Sequence, residues 1–258
     1  MTYSVLVRCD DKSQKIEEYI RKNIKYSYSD DNPDIVIAIG GDGTILQAFH
    51  KYPSAVLFGI HTGHLGFFAN YNPDTIDLLI NDINNNSYEI ESIDVLSCIF
   101  EEADGNIISG DALNEATVIS PRKTLILDVS IDNEILEKFR GTGLSISTSM
   151  GSTGYNKSLH GAVVDHDISI MQLTEVASIN SNAYRTLGSP LVLSSKRRIT
   201  LEADAPIELS VSFDNISYEL KTFKKASFFY NGHVIKMGYH EHEGFIKRIA
   251  RTFIDSGK

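Results

Sequence analysis

Three things are scarce in this 258-residue chain: cysteine, positive charge and long apolar runs. The two cysteines, Cys9 and Cys98, lie in apolar, strand-like surroundings with no histidine or second cysteine at ligand spacing. Buried free thiols are therefore expected in place of a disulfide or a metal centre. Asp and Glu outnumber Lys and Arg by 34 to 24, a net charge of −10, which argues against nucleic acid or an acidic membrane surface as the main partner. A small phosphorylated ligand remains open, because it needs only local cations or backbone N–H groups. No apolar run approaches the ~20 residues that span a bilayer, and the N-terminus shows no signal-peptide pattern. The expectation is a cytoplasmic protein with no nucleic-acid or membrane partner. Repeats, low-complexity tracts and linkers are also missing. What is present is an ordinary globular composition, 42% apolar and 22% charged, enough for one large domain or two small ones.

The most informative stretch runs from Pro33 to His50. Residues 34–39 form a short β-branched apolar run of the kind buried on both faces of a parallel sheet. It stops at Gly40-Gly41-Asp42-Gly43-Thr44, and the pattern then changes period, with Ile45, Leu46, Ala48 and Phe49 on one helical stripe. The glycines mark a strand-to-helix turn, with the helix starting near Thr44. Its open N–H groups favour phosphate, and glycine lets an anion approach the main chain. Asp42 admits two readings. A carboxylate in a phosphate cradle repels the phosphate unless it holds a metal or activates a hydroxyl; alternatively it caps the helix.

Around this turn the chain reads as β-α-β. Tyr3 to Val7 is a strand, and Ser13 to Lys22 an amphipathic helix with Ile16, Tyr19 and Ile20 facing inward. Ala55 to Ile60 is a further strand, followed by the glycine-rich loop from His61 to Phe68 and a helix from about Pro73 to Ile83. His61 and His64 are a weak metal pair; a ligand loop at the carboxyl end of a strand is the better reading. From about Ser87 the pattern becomes period-two, with a hairpin signal at Ala103 to Asn106 and a turn at Asp132 to Glu134. Later strands are expected at 198–202, 207–213, 217–222 and 226–230. A last helical stripe, Glu243 to Ile254, has no helical neighbour in the β half and is expected to return to the N-terminal part.

Three clusters in the β half carry chemical groups. Asn114-Glu115 places an amide and a carboxylate side by side in an apolar strand, where both are buried only if something pairs with them; an edge or bulge position is the alternative. Arg140 to Thr148 sets a cation beside flexible backbone. Met150 to Ser158 supplies glycines, hydroxyls, Tyr155 and Lys157, an inventory for stacking a base and binding ribose and phosphate oxygens, or simply a polar surface loop.

With Gly63-His64-Leu65-Gly66-Phe67, Leu113-Asn114-Glu115, Arg140-Gly141-Thr142-Gly143-Leu144 and Gly151-Ser152-Thr153-Gly154-Tyr155 added to the first turn, the chain resembles the NAD kinases over nearly its whole length. The resemblance implies a Rossmann-like α/β N-terminal domain (1–88), an all-β sandwich that binds NAD (89–236) and a C-terminal helix (237–258) packed on the N-terminal domain. It also implies a homotetramer with sites shared between subunits. The implied reaction is phosphorylation of the 2′-hydroxyl of the adenosine ribose of NAD by ATP or polyphosphate, with Mg²⁺ or another divalent cation, and no protein side chain is assigned to the metal. Carried over, Asp42 is the catalytic carboxylate, and Gly40, Gly41, Gly43 and Thr44 bind phosphate. Asp42, Gly43, Phe67, Asn114, Glu115, Arg140, Thr142, Thr153, Gly154, Tyr155, Asn156, Ser158 and Ala177 face NAD.

The chain departs from that pattern at four positions. The family usually has Asp at Thr142, Pro at Ser149, Ala at Gly154 and Gly at His160. Two rival readings follow: a lipid kinase of the same superfold, against which the net charge and the Asn114-Glu115 pair speak, and a non-catalytic NAD-binding sensor, which Thr142 keeps open.

Overall fold

A computed structural model describes residues 1–63, 66–120, 122–241 and 243–254. The chain forms two compact units, Met1–Ile93 with the segment from Val234 onward, and Asp94–His233.

The first unit starts with β1 (Thr2–Val7), α1 (Asp11–Asn23), β2 (Ser27–Tyr28), β3 (Ile35–Gly40), α2 (Asp42–Lys51) and β4 (Val56–His61). A 3₁₀ turn, Pro73–Thr75, leads into α3 (Ile76–Asn85), and β5 (Glu89–Asp94) follows. All six residues of β3 are buried, as expected of a central parallel strand covered on both faces. Ile35, Ile37 and Ile39 pack with Ile16 and Ile20 of α1 and with Leu79, Ile80 and Ile83 of α3. Val36 and Ala38, by strand alternation, face the other way, and on that face a side chain at Gly59 would strike Ile45 of α2 at 2.6 Å. Tyr19 differs from expectation. It is exposed, and its hydroxyl donates to Asp77 at 2.8 Å, a polar tip that bridges α1 and α3 along their rim.

The second unit contains β6 (Leu96–Glu102), β7 (Ile107–Ala112), β8 (Glu115–Ile119), β9 (Leu125–Ile131), β10 (Glu134–Gly141), β11 (Gly143–Ser147), the single turn α4 (Tyr155–Ser158), β12 (Ile170–Val176) and β13 (Leu191–Ser194). Two long strands, β14 (Ile199–Phe213) and β15 (Ile216–Phe229), complete it. The four short late strands expected from the sequence are these two, interrupted only by register shifts between Glu202 and Leu209. Polar residues at the irregularity, including Asp204 and Glu208, break the alternation and read as a gap. The N-terminal part of β14 pairs with β9 and its C-terminal part with β8. One strand thereby joins the β9–β10 ribbon to the β8–β11–β12–β13 layer around a shared apolar core that includes Phe100, Phe139, Phe223 and Phe228.

The chain then returns as β16 (Val234–Tyr239), which pairs in parallel with β4 and completes a six-stranded sheet of order β2-β1-β3-β4-β16-β5. Helix α5 (Phe245–Ile249) and a π-helical turn, Ala250–Ile254, belong to the same first unit. β5 alternates like the β half in sequence yet lies at the edge of the first unit's sheet, and the compact units divide at Ile93/Asp94. Both cysteines are free, as expected, but Cys9 is exposed, because β1 ends at Val7 and the chain turns out towards α1.

A buried polar knot closes the first unit. Asp82, with no solvent exposure, accepts hydrogen bonds from Tyr71 Oη at 3.0 Å and Ser87 Oγ at 3.3 Å, and His240 Nδ1 lies 3.0 Å from Oδ1. Removing the carboxylate orphans three partners, so Asp82→Ala is expected to lower unfolding stability by about 1–3 kcal/mol, read as an earlier midpoint in a urea titration.

Candidate active site

β3 and β4 are parallel neighbours whose register ends at Gly40 opposite His61. The two loops that leave their carboxyl ends therefore emerge side by side, the place where open α/β sheets bind ligands. Helix α2 begins at Asp42, two residues before the expected start, and Gly41 occupies the N-cap with no side-chain bond. Asp42 is therefore not the cap. Its carboxylate reaches across to the β4 loop, accepting the Phe67 N–H at Oδ2 (2.8 Å) and the Phe68 N–H at Oδ1 (3.1 Å). Gly66 makes this approach possible: a β-carbon there would lie 2.1 Å from Asp42 Oδ1.

Burial raises the Asp42 pKa above the usual Asp range, outweighing the two N–H bonds and the charges of Arg248 and His61, which act the other way. The result is a half-enclosed carboxylate, a better proton acceptor than an exposed one. His61 is shifted down, first by burial and then by Arg251. Its proposed metal partner, His64, lies outside the described residues.

Of the phosphate-cradle candidates, Gly41 and Gly43 have open space where a side chain would stand, whereas Gly40 packs against Thr44, which is buried. The Phe67 ring is buried too. It contacts Phe245 (6.5 Å between centroids), Phe253 (6.2 Å) and the guanidinium of Arg248 (5.6 Å), so the C-terminal turns brace the loop that holds Asp42. Arg248 itself is only 2% exposed.

In the second unit the Leu113-Asn114-Glu115 turn is held by Asp214, about a hundred residues later. Its carboxylate accepts the amides of Leu113 (2.8 Å), Asn114 (2.7 Å) and Glu115 (3.3 Å). From the other side Thr148 donates its backbone N–H to Asn114 O and its hydroxyl to Leu113 O. Gly151 presses on the Asn114 carbonyl so closely that a β-carbon would sit 1.9 Å from its oxygen. Glu115 is largely enclosed, and its Oε2 has no hydrogen-bond partner. Burial, with the nearby charge of Asp214, pushes its pKa up to about 7 against the pull of the Tyr155 amide. A carboxylate left this way is a ready acceptor for N–H or O–H donors of a ligand.

The remaining sequence candidates divide. Tyr155 is 38% exposed, and Gly154 and Ser158 are also exposed. Thr153 donates back to Met150 O at 3.2 Å. Asn156 is buried, with its amide engaged by Thr174 Oγ1 and Ala162 O, and so shapes the loop from within. Arg140 stacks its guanidinium 4.1 Å from the centroid of Tyr184. Thr142 and Ala177 line a cavity of ≈ 200 Å³ together with Arg122 and Lys123. Among the departures, His160 adopts φ +61°, the left-handed region that favours the family's glycine. Ser149 donates its hydroxyl to Ile168 O. Sequence reasoning missed Asp214 and Arg248, and gave Thr148 no role beyond its place at the end of the Arg140 to Thr148 cluster. Of the two missed residues Arg248 alone left a trace, as a cation on an otherwise apolar helical stripe.

An α/β unit with a half-buried aspartate at a glycine-rich strand-to-helix turn, joined in one chain to a β unit with a buried glutamate beside a hydroxyl-rich loop, defines a phosphotransferase of the nucleotide-acting kind. The comparisons give the family. Residues 4–88 match the ATP-NAD kinase N-terminal domain and residues 113–232 the ATP-NAD kinase C-terminal domain. NAD kinases of Streptococcus pyogenes serotypes M28 and M3 are 39% identical over 247 residues, covering 94% of this chain and 88% and 89% of theirs. The fold is shared with yeast NADH kinase complexed with NADH (TM-score 0.86, 18% identity, all of this chain and 89% of that one). It is also shared with an Archaeoglobus fulgidus NAD kinase in complex with ATP (TM-score 0.78, 23% identity, 97% and 99%). The chain belongs to the ATP-NAD kinase family, the phosphotransferases that convert NAD to NADP.

Glu115 generates a test. Its folded-state pKa of about 7 lies above the ordinary glutamate value of 4.5, so the stability linked to its proton is fully present below pH ~4.5 and lost as pH rises through ~7. Glu115→Gln imitates the protonated acid. It is expected to melt with the native protein at pH 4.5 and above it at pH 8, by an amount on the order of 3 kcal/mol at most. Thermal scans at the two pH values measure this.

Proposed function

We propose that the protein transfers the γ-phosphoryl group of ATP to the 2′-hydroxyl of the adenosine ribose of NAD, with Asp42 as the base and orienting group. The observation that carries the reading is the pair of amide bonds from Phe67 and Phe68, which hold an enclosed carboxylate beside the N-terminus of α2. A ribose hydroxyl is a poor nucleophile, and a fixed acceptor helps it in two ways: it sets the direction of the lone pair and takes the proton as the oxygen attacks. The new bond forms to the γ-phosphorus, the bond to the ADP oxygen breaks, and the proton rests on Asp42 until solvent removes it. The N–H groups at Gly41 and Gly43 are suited to the donor phosphates, for which polyphosphate is a chemically equivalent source.

Asn114 and Glu115 are assigned to the adenosine half of NAD, with Arg140, Thr142 and Ala177 in the same unit and Thr153, Gly154, Tyr155, Asn156 and Ser158 as the loop that wraps the nucleotide. Among the described residues no three His, Cys, Asp or Glu side chains converge on a metal position. Mg²⁺, or another divalent cation, would enter this reading with the donor phosphates, whose charge it would neutralise. We assign the protein to the cytoplasm and to a homotetramer with sites shared between subunits. Exposed apolar side chains on the β unit, such as Ile135 at 76% and Val192 at 46%, support association.

The decisive assay supplies purified protein with NAD, ATP and Mg²⁺ and reads NADP with an NADP-specific dehydrogenase. Native protein that forms no NADP sinks the reading. Asp42→Asn is expected to lower kcat by roughly 10² to 10⁴ while calorimetry still shows NAD binding. At Thr142 the cavity wall carries Arg122 and Lys123, which favour an acidic neighbour. Thr142→Asp should tighten the KM for NAD several-fold and leave kcat within about threefold, since the contact is made equally in ground and transition states. Initial rates with NAD varied at saturating ATP decide it.

A further inference from the structure

Arg251 lies on the π-helical turn three residues after Arg248, and its guanidinium is unevenly used. Nη1 stands 2.8 Å from Glu243 Oε2, an ion pair whose angle leaves that oxygen without a hydrogen bond. Nε and Nη2 are buried and have no hydrogen-bond partner among the described residues. These two nitrogens form the side-on fork with which arginine grips two oxygens of one phosphoryl or carboxylate group. Arg251 lines a cavity of ≈ 270 Å³ with Asn70 and Lys247, and both amide atoms of Asn70 are likewise buried without partners. Glu241 and Glu243 line it too, balanced by Lys247 and Arg251, so the open fork rather than net charge selects the ligand. Asn70 closes the loop whose Phe67 and Phe68 amides hold Asp42, and Phe253, two residues after Arg251, packs on the Phe67 ring. Arg251 also lies close enough to Asp42 to feel its charge.

We propose that Arg251, with Asn70 beside it, is a binding subsite for the phosphoryl group of the donor, its Nε/Nη2 fork gripping two phosphate oxygens while Glu243 anchors the other end of the guanidinium. The proposal rests on the kinase reading above. It makes Arg251 a catalytic residue in the sense of touching the reacting group, stabilising charge that spreads over the phosphoryl oxygens as the bond to ADP lengthens.

The test uses the full chain and two measurements. With ATP varied at saturating NAD, Arg251→Gln is expected to lower kcat/KM for ATP by about 10- to 10²-fold while the calorimetric affinity for NAD stays unchanged. Arg251→Lys should recover only part, because an ammonium keeps the charge and loses the fork. Calorimetry with tripolyphosphate alone should show binding to the native protein and a loss of about 10-fold or more in Arg251→Gln. Unchanged ATP kinetics and tripolyphosphate affinity in a folded Arg251→Gln protein overturn the subsite, as does full recovery of both by lysine. If the native protein makes no NADP, the kinase reading fails instead, and the tripolyphosphate comparison decides the fork by itself.

Discussion

The bond pair between the Asp42 carboxylate and the amides of Phe67 and Phe68 is the constraint on which the first unit is organised. It requires β3 and β4 to end in register, so that their loops leave side by side, and it requires glycine at 66, because a side chain would occupy the carboxylate's place. It also needs a rigid backing. That comes from the far end of the chain, where Phe245, Arg248 and Phe253 surround the Phe67 ring. A carboxylate held by two fixed N–H groups has lost most of its rotational freedom before substrate arrives, which is what orientation-dependent catalysis demands.

The β unit solves a different problem, keeping a carboxyl group with an unpartnered oxygen in an enclosed place. Glu115 sits there at an energetic cost, with one oxygen unpartnered and its pKa up at about 7. The cost is tolerated because the turn carrying it is over-determined: Asp214 takes three amides, Thr148 bonds two carbonyls, and Gly151 packs directly on Asn114 O. Strained or desolvated groups persist where the surroundings leave them no alternative. The β14–β15 hairpin places Asp214 at its tip, so the longest strands of the sheet serve the site directly.

The amino-acid pattern by itself determined the class of each half. A fully apolar β-branched strand ending in glycines, followed by a helical stripe, has one economical arrangement, a parallel strand turning into a covering helix; period-two segments with polar turns have another, an antiparallel sheet. The Gly40 to Thr44, Asn114-Glu115 and Gly151 to Tyr155 motifs were enough to bring out the family, because they are local backbone and side-chain requirements written into consecutive residues. Tertiary structure decided what depends on contact between distant segments. It moved Asp42 from a possible cap to an acceptor of loop amides, turned Tyr19 and Cys9 outward, and fused four expected strands into two. Asp214, Arg248 and Arg251 acquired their roles only there, since a carboxylate or guanidinium gains meaning from the partners that folding brings to it, and spacing along the chain does not encode those partners.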